Sequence, residues 1–304
     1  MRELVIDGTR IADNSDCYII AEIGHNHGGD LQTCKKMFKA AKDAGASAVK
    51  LQKRDNKTLY TTEYYNSPYN SENAYGRTYG EHREALEFNR TQYIILQEYA
   101  LELEITFFAT AFDIPSADFL AELDMPAYKI ASGDLTNEKL LKHVASIGKP
   151  VIISTGGGTL NDVRRAASWF QYSPIGILQC TSGYPASYDE LNLRVIETYS
   201  LDFPHAVIGY SGHENGIAIS IAAFTLGARI IEKHFTLDRT LKGTDQAFSL
   251  EPVGLRKLVR DLRRTKRALG DGIKRSWPSE TIALTKQWKN KDGKIDGLGR
   301  VSAA

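Results

Sequence analysis

Short runs of hydrophobic residues recur along the chain, and they alternate with longer segments whose apolar residues follow helical spacing. Within each run the hydrophobic residues are nearly continuous, which is typical of strands buried on both faces of a parallel sheet. Eight runs follow Cys17 in succession, at 18–23, 48–52, 105–109, 127–130, 151–154, 175–179, 206–210 and 229–232. The pattern therefore predicts eight buried parallel strands.

Segments with an apolar helical face separate these runs, and several of them end in a glycine just before the next strand. Gly45, Gly148 and Gly227 are such residues, and their freedom to take positive φ closes the last helical turn. The predicted helices include 31–44, 91–102, 138–146, 160–170, 191–198 and 216–226. Eight strand–helix units predict an α/β fold, a closed (β/α)8 TIM barrel. A doubly wound open sheet is the alternative, but no GxGxxG follows the first strand.

Residues 3–12 precede the first barrel strand and read as two short apolar runs around Asp7-Gly8. Both turn residues tolerate positive φ, which makes this pair a strong signal for a β-hairpin. We therefore expect an N-terminal β-hairpin that closes the lower mouth of the barrel.

Residues 53–90 form a long insertion between the second strand and its helix, and they are rich in tyrosine, asparagine, serine and glycine. Connections of this length are usually functional or disordered. In a barrel the insertion would lie on the catalytic face, where tyrosine rings and hydroxyls could contact a sugar. A surface decoration that packs on itself is the alternative.

The composition narrows the possible partners and the compartment. The 304 residues hold 38 Lys+Arg and 37 Asp+Glu, so a net charge of +1 offers no field for nucleic acid. No apolar stretch approaches the roughly 20 residues of a membrane span, and the N-terminus does not read as a signal peptide. Three widely spaced cysteines, Cys17, Cys34 and Cys180, predict a reducing compartment, the cytoplasm. We assign residues 1–280 to the barrel with its hairpin and 281–304 to a polar tail.

Polar residues at the carboxyl ends of the predicted strands form the candidate active site, because the site of such a barrel is built there. In chain order they are Glu22, Lys50, Gln52, Thr110, Lys129, Ser132, Ser154, Thr155, Thr181, Ser182, Ser211, His213, Glu232 and His234. Each has a structural alternative, such as a paired lysine or a hydroxyl bonded to nearby backbone. Together, two lysines and several hydroxyls predict a site for an anion with phosphate and carboxylate groups.

His213 and His234 come from the last two strands, so their imidazoles can meet across one strand spacing of about 4.8 Å. Two imidazoles with added oxygen ligands suit a divalent metal such as manganese (Mn2+). Glu232 alternates onto the face of His234 and could be a ligand or an orienting group. Hydrogen bonding within the core is the alternative for both histidines.

Two other features have structural explanations beside functional ones. The run Ser154 to Thr159 contains three glycines and could cradle an anion, but it is not a Walker A loop, and a turn with Thr159 or Asn161 capping a helix explains it equally well. Cys180 ends an apolar strand with no histidine partner evident from spacing, so we expect it to pack in the core.

A series of motifs resembles the sialic acid synthase family, over roughly residues 15 to 275 and in the family's order. The motifs are AEIGHNHGG at 21–29, VKLQ at 49–52, AYKIASGD at 127–134, STGG at 154–157, CTSGYP at 180–185, GYSGH at 209–213 and IEKHFTLD at 231–238. The resemblance implies a (β/α)8 barrel. It also implies an enzyme that condenses phosphoenolpyruvate with an N-acyl hexosamine.

The resemblance also implies roles for individual residues, with Glu22, Lys50, Lys129, His213 and His234 as the catalytic set. The phosphate and carboxylate of phosphoenolpyruvate would be held by Lys50, Thr110, Lys129, Ser132, Ser154, Ser182 and Ser211. His213 and His234 would bind a divalent metal, Mn2+ first, with magnesium (Mg2+) or cobalt (Co2+) as alternatives. The sugar or the attacking water would meet Glu22, Gln52, Asn73, Asp134, Tyr184 and Asp245.

The implied function is that of an N-acetylneuraminate synthase-like transferase. It would join phosphoenolpyruvate to N-acetylmannosamine or a related amino sugar and release phosphate by C–O cleavage. Synthases of legionaminate, pseudaminate, Kdn or another 3-deoxy-ulosonate are alternatives, as is a barrel that binds sugar or phosphoenolpyruvate without turnover. An octulosonate 8-phosphate synthase would need a phosphorylated acceptor and further basic residues at the mouth, and the sequence indicates none.

Three departures from the family pattern bear on the acceptor. Gly212 precedes His213 where members often read GYSDH, and residues 243–246 read GTDQ in place of GPDH. Many members also carry a C-terminal antifreeze-like domain, which reaches over the partner's site in a swapped homodimer and contributes an arginine. The polar residues after Leu269 are not expected to form that domain. We expect either that the tyrosine-rich insertion replaces the lid, or that the chain is a short form or fragment with another acceptor.

Overall fold

Eight parallel strands close into a barrel in the computed structural model, which describes residues 2–171 and 173–281. In order they are β3 (Tyr18–Gly24), β4 (Ala48–Lys53), β5 (Thr106–Ala111), β6 (Tyr128–Ile130), β7 (Val151–Ser154), β8 (Ile175–Cys180), β9 (Val207–Gly212) and β10 (Ile230–His234). Each pairs with the next along the chain, and β10 closes the ring on β3. The predicted (β/α)8 barrel is confirmed, with the strand ends within two residues of their predicted positions.

Two strands precede the barrel, β1 (Glu3–Ile6) and β2 (Thr9–Ala12), and they pair antiparallel around the predicted turn. Asp7 and Gly8 both have positive φ, 49° and 74°. Leu4, Ile6 and Ile11 are fully buried against inward-facing barrel residues. The hairpin therefore fills the end of the barrel opposite the candidate site, as predicted.

Helices surround the barrel and fill the insertion. They are α1 (Leu31–Ala44), α2 (Asn56–Leu59), α3 (Thr62–Tyr65), α4 (Tyr79–Glu84), α5 (Arg90–Glu102), α6 (Ile114–Glu122), α7 (Glu138–Ile147), α8 (Leu160–Ser168), α9 (Val195–Asp202), α10 (Ala218–Thr225) and α11 (Pro252–Leu269), with 3-10 turns at Ser132–Asp134 and Tyr188–Glu190. No helix among the described residues is long and apolar enough to cross a membrane.

The first helix shows why the sequence sets these boundaries. Asp30 caps the start of α1 by accepting a hydrogen bond from the Thr33 N–H at 2.6 Å. Gly45 ends the helix at φ 91°, a conformation that L side chains rarely adopt. Between these caps, Met37 and Phe38 lie on the buried face that packs on the barrel.

One predicted helix starts later than expected. The prediction was 191–198, whereas α9 begins at Val195, because the residues before it form a 3-10 turn and Asn192 has positive φ. The chain divides after Lys266 into two compact units, and the first holds every strand. The predicted tail at 281–304 lies outside the described residues after Thr281.

Candidate active site

A cavity of about 680 Å³ lies at the carboxyl ends of the barrel strands, where the active site was expected. Thirteen of the fifteen predicted site residues line it, and Asn73 and Asp134 do not. The thirteen are Glu22, Lys50, Gln52, Thr110, Lys129, Ser132, Ser154, Ser182, Tyr184, Ser211, His213, His234 and Asp245. The volume is within the range of small-molecule sites, which is about 300–1,000 Å³.

Two buried lysines and two buried glutamates line the cavity together, and we call Glu22, Lys50, Lys129 and Glu232 the lysine centre. Lys50 Nζ lies 2.5 Å from Glu22 Oε2 and 3.8 Å from Glu232 Oε1. Lys129 Nζ also lies 3.8 Å from Glu232 Oε1. Each ammonium thus has a carboxylate counter-ion, which is how charges are tolerated in a protein interior.

Burial and neighbouring charge set the protonation of the two glutamates in opposite directions. Burial raises the pKa of Glu22 above its usual value, and Lys50 offsets only part of that effect. Burial also raises the pKa of Glu232, but Lys129 and Lys50 outweigh it and hold the pKa below its usual value. Glu22 is therefore the carboxyl group suited to carry a proton, while Glu232 stays ionised between the lysines.

Hydroxyl groups from the strand ends complete this part of the cavity. Lys50 donates to Thr110 Oγ1 at 2.7 Å, and Lys129 donates to Ser154 Oγ at 2.6 Å. Ser132 Oγ accepts from the Gly156 N–H at 3.0 Å. A Cβ at Gly156 would lie 2.2 Å from Ser182 Oγ, so only glycine allows this approach. Thr155 and Thr181, also at strand ends, do not line the cavity.

His213 and His234 meet at the end of β9 and β10, with ring centroids 5.3 Å apart. His213 Nδ1 donates to the Thr181 carbonyl at 2.8 Å, which leaves Nε2 as the nitrogen with a lone pair. His234 Nδ1 is buried without a hydrogen-bond partner, and Asp245 Oδ2 lies 3.6 Å from it. Burial lowers the pKa of His234, which favours the neutral imidazole that metals bind.

This donor set fits a divalent ion held by two imidazoles, with oxygen atoms of water, substrate or Asp245 completing the coordination. No group of three or more His, Cys, Asp or Glu side chains is arranged for metal binding within residues 2–171 and 173–281. The predicted metal site therefore stays a prediction that the two imidazoles favour.

Two arginines and a histidine also line the cavity, and we call Arg54, Arg83 and His25 the arginine centre. Arg54 Nη1 lies 3.3 Å from His25 Nε2, and Arg83 Nη1 lies 3.4 Å from His25 Nδ1. Burial lowers the pKa of Arg54, and the positive charge of Arg83 adds to that shift. Burial also lowers the pKa of His25, and both arginines add to that shift.

The sequence indicated no further basic residues at the mouth, and the arginine centre shows that this expectation was wrong. A signal for Arg54 was present, because Lys50 and Gln52 alternate along β4, Arg54 continues that alternation one residue past its end, and all three line the cavity. Arg83 gave no such signal, since it lies on the short helix α4 inside the insertion.

Comparison with known proteins places these features in a family. A family model, described as NeuB family, matches residues 37–274. The chain belongs to the NeuB family. It is 42% identical to N-acetylneuraminate-9-phosphate synthase of Homo sapiens, over 95% of this chain and 81% of that protein. It is 41% identical to N,N'-diacetyllegionaminic acid synthase of Legionella pneumophila subsp. pneumophila, over 87% and 76%.

A solved structure agrees with this membership. The N-acetylneuraminic acid (sialic acid) synthetase from Leptospira borgpetersenii serovar Hardjo-bovis, in complex with citrate, matches with a TM-score of 0.80 and 35% identity. The match covers 95% of this chain and 98% of that one. The expectation of a sialic-acid-type synthase of the NeuB family, and hence of an enzyme, is confirmed.

The departure at Gly212 from the usual family motif has a local cause. Lys233 donates to both the backbone carbonyl and Oε1 of Glu214, at 2.6 and 3.0 Å, and Tyr210 donates to Glu214 Oε2 at 2.7 Å. A Cβ at Gly212 would lie 2.5 Å from that carboxylate and 2.6 Å from the Tyr210 ring. Glycine is therefore needed for this buried ion pair, which ties the residue after His213 to the residue before His234.

The second departure comprises Thr244, which lines the cavity, and Gln246, which does not. Gln246 is buried, donates to the Asn26 carbonyl at 3.1 Å and accepts from the Thr236 hydroxyl. Its neighbour Asp245 lines the cavity. Gln246 thus holds the loop that presents Asp245.

The insertion does reach the catalytic face, but most of its tyrosines contact one another. Tyr60, Tyr64 and Tyr69 each pack against Tyr79, with ring centroids 4.6 to 5.4 Å apart. Tyr79 accepts hydrogen bonds from Arg83 Nε and Nη2 at 3.0 and 2.7 Å. Among the insertion's tyrosines only Tyr75 lines the cavity within the described residues. The cluster therefore positions Arg83, whereas the sequence suggested direct sugar contact.

Asn73 and Asp134 do not line the cavity, and their side chains hydrogen-bond to neighbouring protein groups. Asn73 Oδ1 accepts from the Gly243 N–H at 2.9 Å, which joins the insertion to the loop carrying Asp245. Asp134 accepts from Asn137 Nδ2 at 3.0 Å. The sugar or water contacts that the resemblance implied for both residues find no support in this placement.

Cys180 differs from its predicted role in core packing. It is buried but lines the cavity, and its Sγ lies 3.9 Å from His213 Nδ1. The histidine partner was not evident from spacing because it comes from the neighbouring strand β9.

Proposed function

We propose that this protein condenses phosphoenolpyruvate with an open-chain N-acylated amino sugar, N-acetylmannosamine or a close relative, to give a nonulosonic acid and phosphate. One observation supports the proposal above the others. The lysine centre and the histidine pair line one cavity at the catalytic face of a NeuB-family barrel. Lysines and hydroxyls suit the anionic donor, and the histidines suit activation of the acceptor carbonyl.

In the proposed reaction, C3 of phosphoenolpyruvate forms a bond to the aldehyde carbon of the acceptor, whose oxygen takes a proton and becomes a hydroxyl. Water adds to C2 and gives up a proton. The bond between C2 and the bridging oxygen then breaks, phosphate leaves with that oxygen, and C2 becomes a ketone. The balance needs one phosphoenolpyruvate, one sugar and one water.

The residues divide this work between anion binding and proton transfer. Lys50, Lys129 and the hydroxyls around them hold the phosphate and carboxylate of phosphoenolpyruvate, where donors fixed in a buried site stabilise developing charge. Glu22 has a raised pKa and accepts a hydrogen bond from Gln52 at 2.7 Å. We assign to Glu22 the proton transfer at the new hydroxyl or at the attacking water.

His213 and His234 would hold a divalent metal, Mn2+ first, with Mg2+ or Co2+ as alternatives. When bound, such an ion polarises a carbonyl oxygen. The lone-pair nitrogen of His213 and the unpartnered Nδ1 of His234 support this assignment.

Phosphate release and product mass test the proposal. The protein is incubated with phosphoenolpyruvate and N-acetylmannosamine, with Mn2+ and with a chelator. We expect metal-dependent phosphate release and a product one pyruvate unit heavier than the acceptor. No turnover with any acceptor would contradict the proposal.

A related acceptor is the second candidate. The legionaminic acid synthase matches almost as well as the human protein, 41% against 42% identity, so identity alone does not rank mannosamine derivatives against diamino sugars. A screen of N-acylated acceptors by mass spectrometry ranks them.

We also propose a cytoplasmic location and a homodimer. The three cysteines are all free, which supports a reducing compartment. The homodimer rests on the family resemblance, and light scattering tests it.

A further inference from the structure

We infer that a buried network of hydrogen bonds behind the histidine pair sets the affinity of that pair for a divalent metal, without lining the cavity itself. Tyr210, Glu214 and Lys233 form it, and we call these three residues the buried network. They are positioning residues for His213 and His234. The inference rests on the proposed function, because it concerns the metal assigned there.

The buried network lies behind the wall of the cavity. His213 and His234 line the cavity, whereas Tyr210, Glu214 and Lys233 do not. Because successive side chains of a strand point to opposite faces, the network belongs to the outer face of β9 and β10. All three residues are at most 1% exposed. A ligand in the cavity therefore meets the histidines and not the network.

Contacts within the network join the two strand ends beside the histidines. The last paired residues of β9 and β10 are Gly212 and Lys233, so the pairing stops one residue before each histidine. Beyond that point Lys233 Nζ donates to the Glu214 carbonyl at 2.6 Å and to Glu214 Oε1 at 3.0 Å. Tyr210 donates to Glu214 Oε2 at 2.7 Å. The residue after the first histidine is thus tied to the residue before the second.

The chemistry of the network favours a positioning role over a purely stabilising one. A buried ion pair adds little stability compared with well-packed apolar side chains, because both charges lose their hydration. Both carboxylate oxygens and the carbonyl of Glu214 are hydrogen-bonded, and a fully satisfied buried network makes its surroundings rigid. A metal site needs such rigidity, since its ligands must be held within about 0.5 Å of their working positions.

The histidine pair depends on the backbone because its two rings are anchored unequally. His213 Nδ1 donates to the Thr181 carbonyl at 2.8 Å. His234 Nδ1 is buried without a hydrogen-bond partner, and its ring packs against Phe248 with centroids 5.0 Å apart. The 5.3 Å between the centroids of the two imidazoles is therefore set largely by the ends of β9 and β10, which the network joins.

Metal binding, measured without turnover, tests the inference. Titration calorimetry gives the Mn2+ affinity, the visible absorption of bound Co2+ reports the geometry of its ligands, and His234→Ala identifies the binding that belongs to the histidine pair. Tyr210→Phe removes one hydrogen bond of the network, and we expect a few-fold weaker Mn2+ binding and an altered Co2+ spectrum. Lys233→Met combined with Glu214→Gln removes both charges together and should weaken Mn2+ binding about 10- to 100-fold.

Tyr199→Phe is the matched control. Tyr199 is also a buried tyrosine that donates a hydrogen bond, to Thr155 Oγ1 at 3.0 Å, and it does not line the cavity. We expect this variant to keep the Mn2+ affinity and the Co2+ spectrum of the wild type. Urea unfolding of both tyrosine variants without metal separates a loss of affinity from a loss of stability.

The same Mn2+ affinity and Co2+ spectrum in Tyr210→Phe and Tyr199→Phe would overturn the inference. A wild type that binds neither ion, or a folded double variant that binds Mn2+ as the wild type does, would also overturn it. If the double variant does not fold, the two tyrosine variants decide. The proposed function fails separately, when no acceptor gains a pyruvate unit, and the binding comparison then still decides the inference.

Discussion

The lysine centre and the arginine centre are two cationic regions of one cavity, and they differ in how their charges are compensated. Lys50 and Lys129 each lie within 3.8 Å of a buried carboxylate. The guanidinium groups of Arg54 and Arg83 have no carboxylate oxygen within 4.0 Å in the described chain, and they contact a histidine whose pKa they help to lower. The nearest carboxylate, that of Glu87, lies 3.5 Å from this histidine, His25.

The difference in compensation affects the local stability of each centre. A compensated centre keeps its geometry without a ligand, which suits groups that must be in place for proton transfer. Two guanidinium groups that share one imidazole and have no close carboxylate partner lower local stability, and such a cost is common at functional sites. Equal numbers of positive side chains in one cavity can therefore differ in function according to how their charges are compensated.

Loss of a lysine should cost the most activity. Lys129→Met removes the donor to Ser154 and one counter-ion of Glu232, so we expect kcat/KM for phosphoenolpyruvate to fall on the order of 1000-fold. Phosphate release measures the effect. Lys149→Met is the control, because Lys149 is paired with Asp124 on the surface. Near-wild-type activity in Lys129→Met would contradict the assigned role.

Stability should separate the two centres directly. Lys50→Met leaves Glu22 buried without its close counter-ion, and we expect the free energy of unfolding to fall by about 3 kcal/mol. Arg54→Met removes a charge that Arg83 repels, so the change should stay below about 1 kcal/mol. Urea unfolding of both variants measures the difference. An equal fall in the free energy of unfolding of both variants would show that the charge of Arg54 is compensated as well as that of Lys50.

Glu22 belongs to the lysine centre, and its neutral analogue should lower turnover. Glu22→Gln removes the group that carries the proton, so we expect kcat to fall about 100-fold. Steady-state kinetics at saturating substrates measure the change, with circular dichroism to confirm folding. A kcat close to wild type would remove Glu22 from the proton transfer.

The smallest expected effect is on the pH dependence of stability near the arginine centre. Burial, together with Arg83 and Lys242, lowers the pKa of His82 to about 4. In the unfolded chain histidine titrates near pH 6.5, so the unfolded state gains a proton first as the pH falls. The stability that His82 contributes is complete above about pH 6.5 and is lost progressively toward pH 4.

His82→Asn isolates this effect. The asparagine oxygen can keep accepting from the Tyr75 N–H, as His82 Nδ1 does at 3.1 Å, but it does not titrate. We expect urea unfolding of the variant to show a shallower loss of stability between pH 7 and pH 5 than the wild type shows. Parallel losses would assign the pH dependence to other groups.

The barrel was largely predictable because its signals are local and repeated. Hydrophobic runs located all eight strands, and glycines such as Gly45 and Gly148 marked helix ends with positive φ. The position of α9 was less predictable, since a turn around Asn192 delays the helix without changing the apolar pattern.

The site was predictable where it depends on strand ends and unpredictable where it depends on the insertion. Strand topology alone brings Lys50, Lys129 and the histidine pair to one face. The position of Arg83 depends on tyrosines packing against Tyr79 inside the insertion, which no periodicity reports. Asn73 was implied as a site residue by resemblance, yet its side chain fixes a loop.

One experiment tests the condensation most directly. Phosphoenolpyruvate is supplied with N-acetylmannosamine and Mn2+, and phosphate release and product mass are followed together. We predict one phosphate released for each sugar that gains a pyruvate unit. Phosphate release without a sugar that gains a pyruvate unit, or no phosphate release, would contradict the condensation.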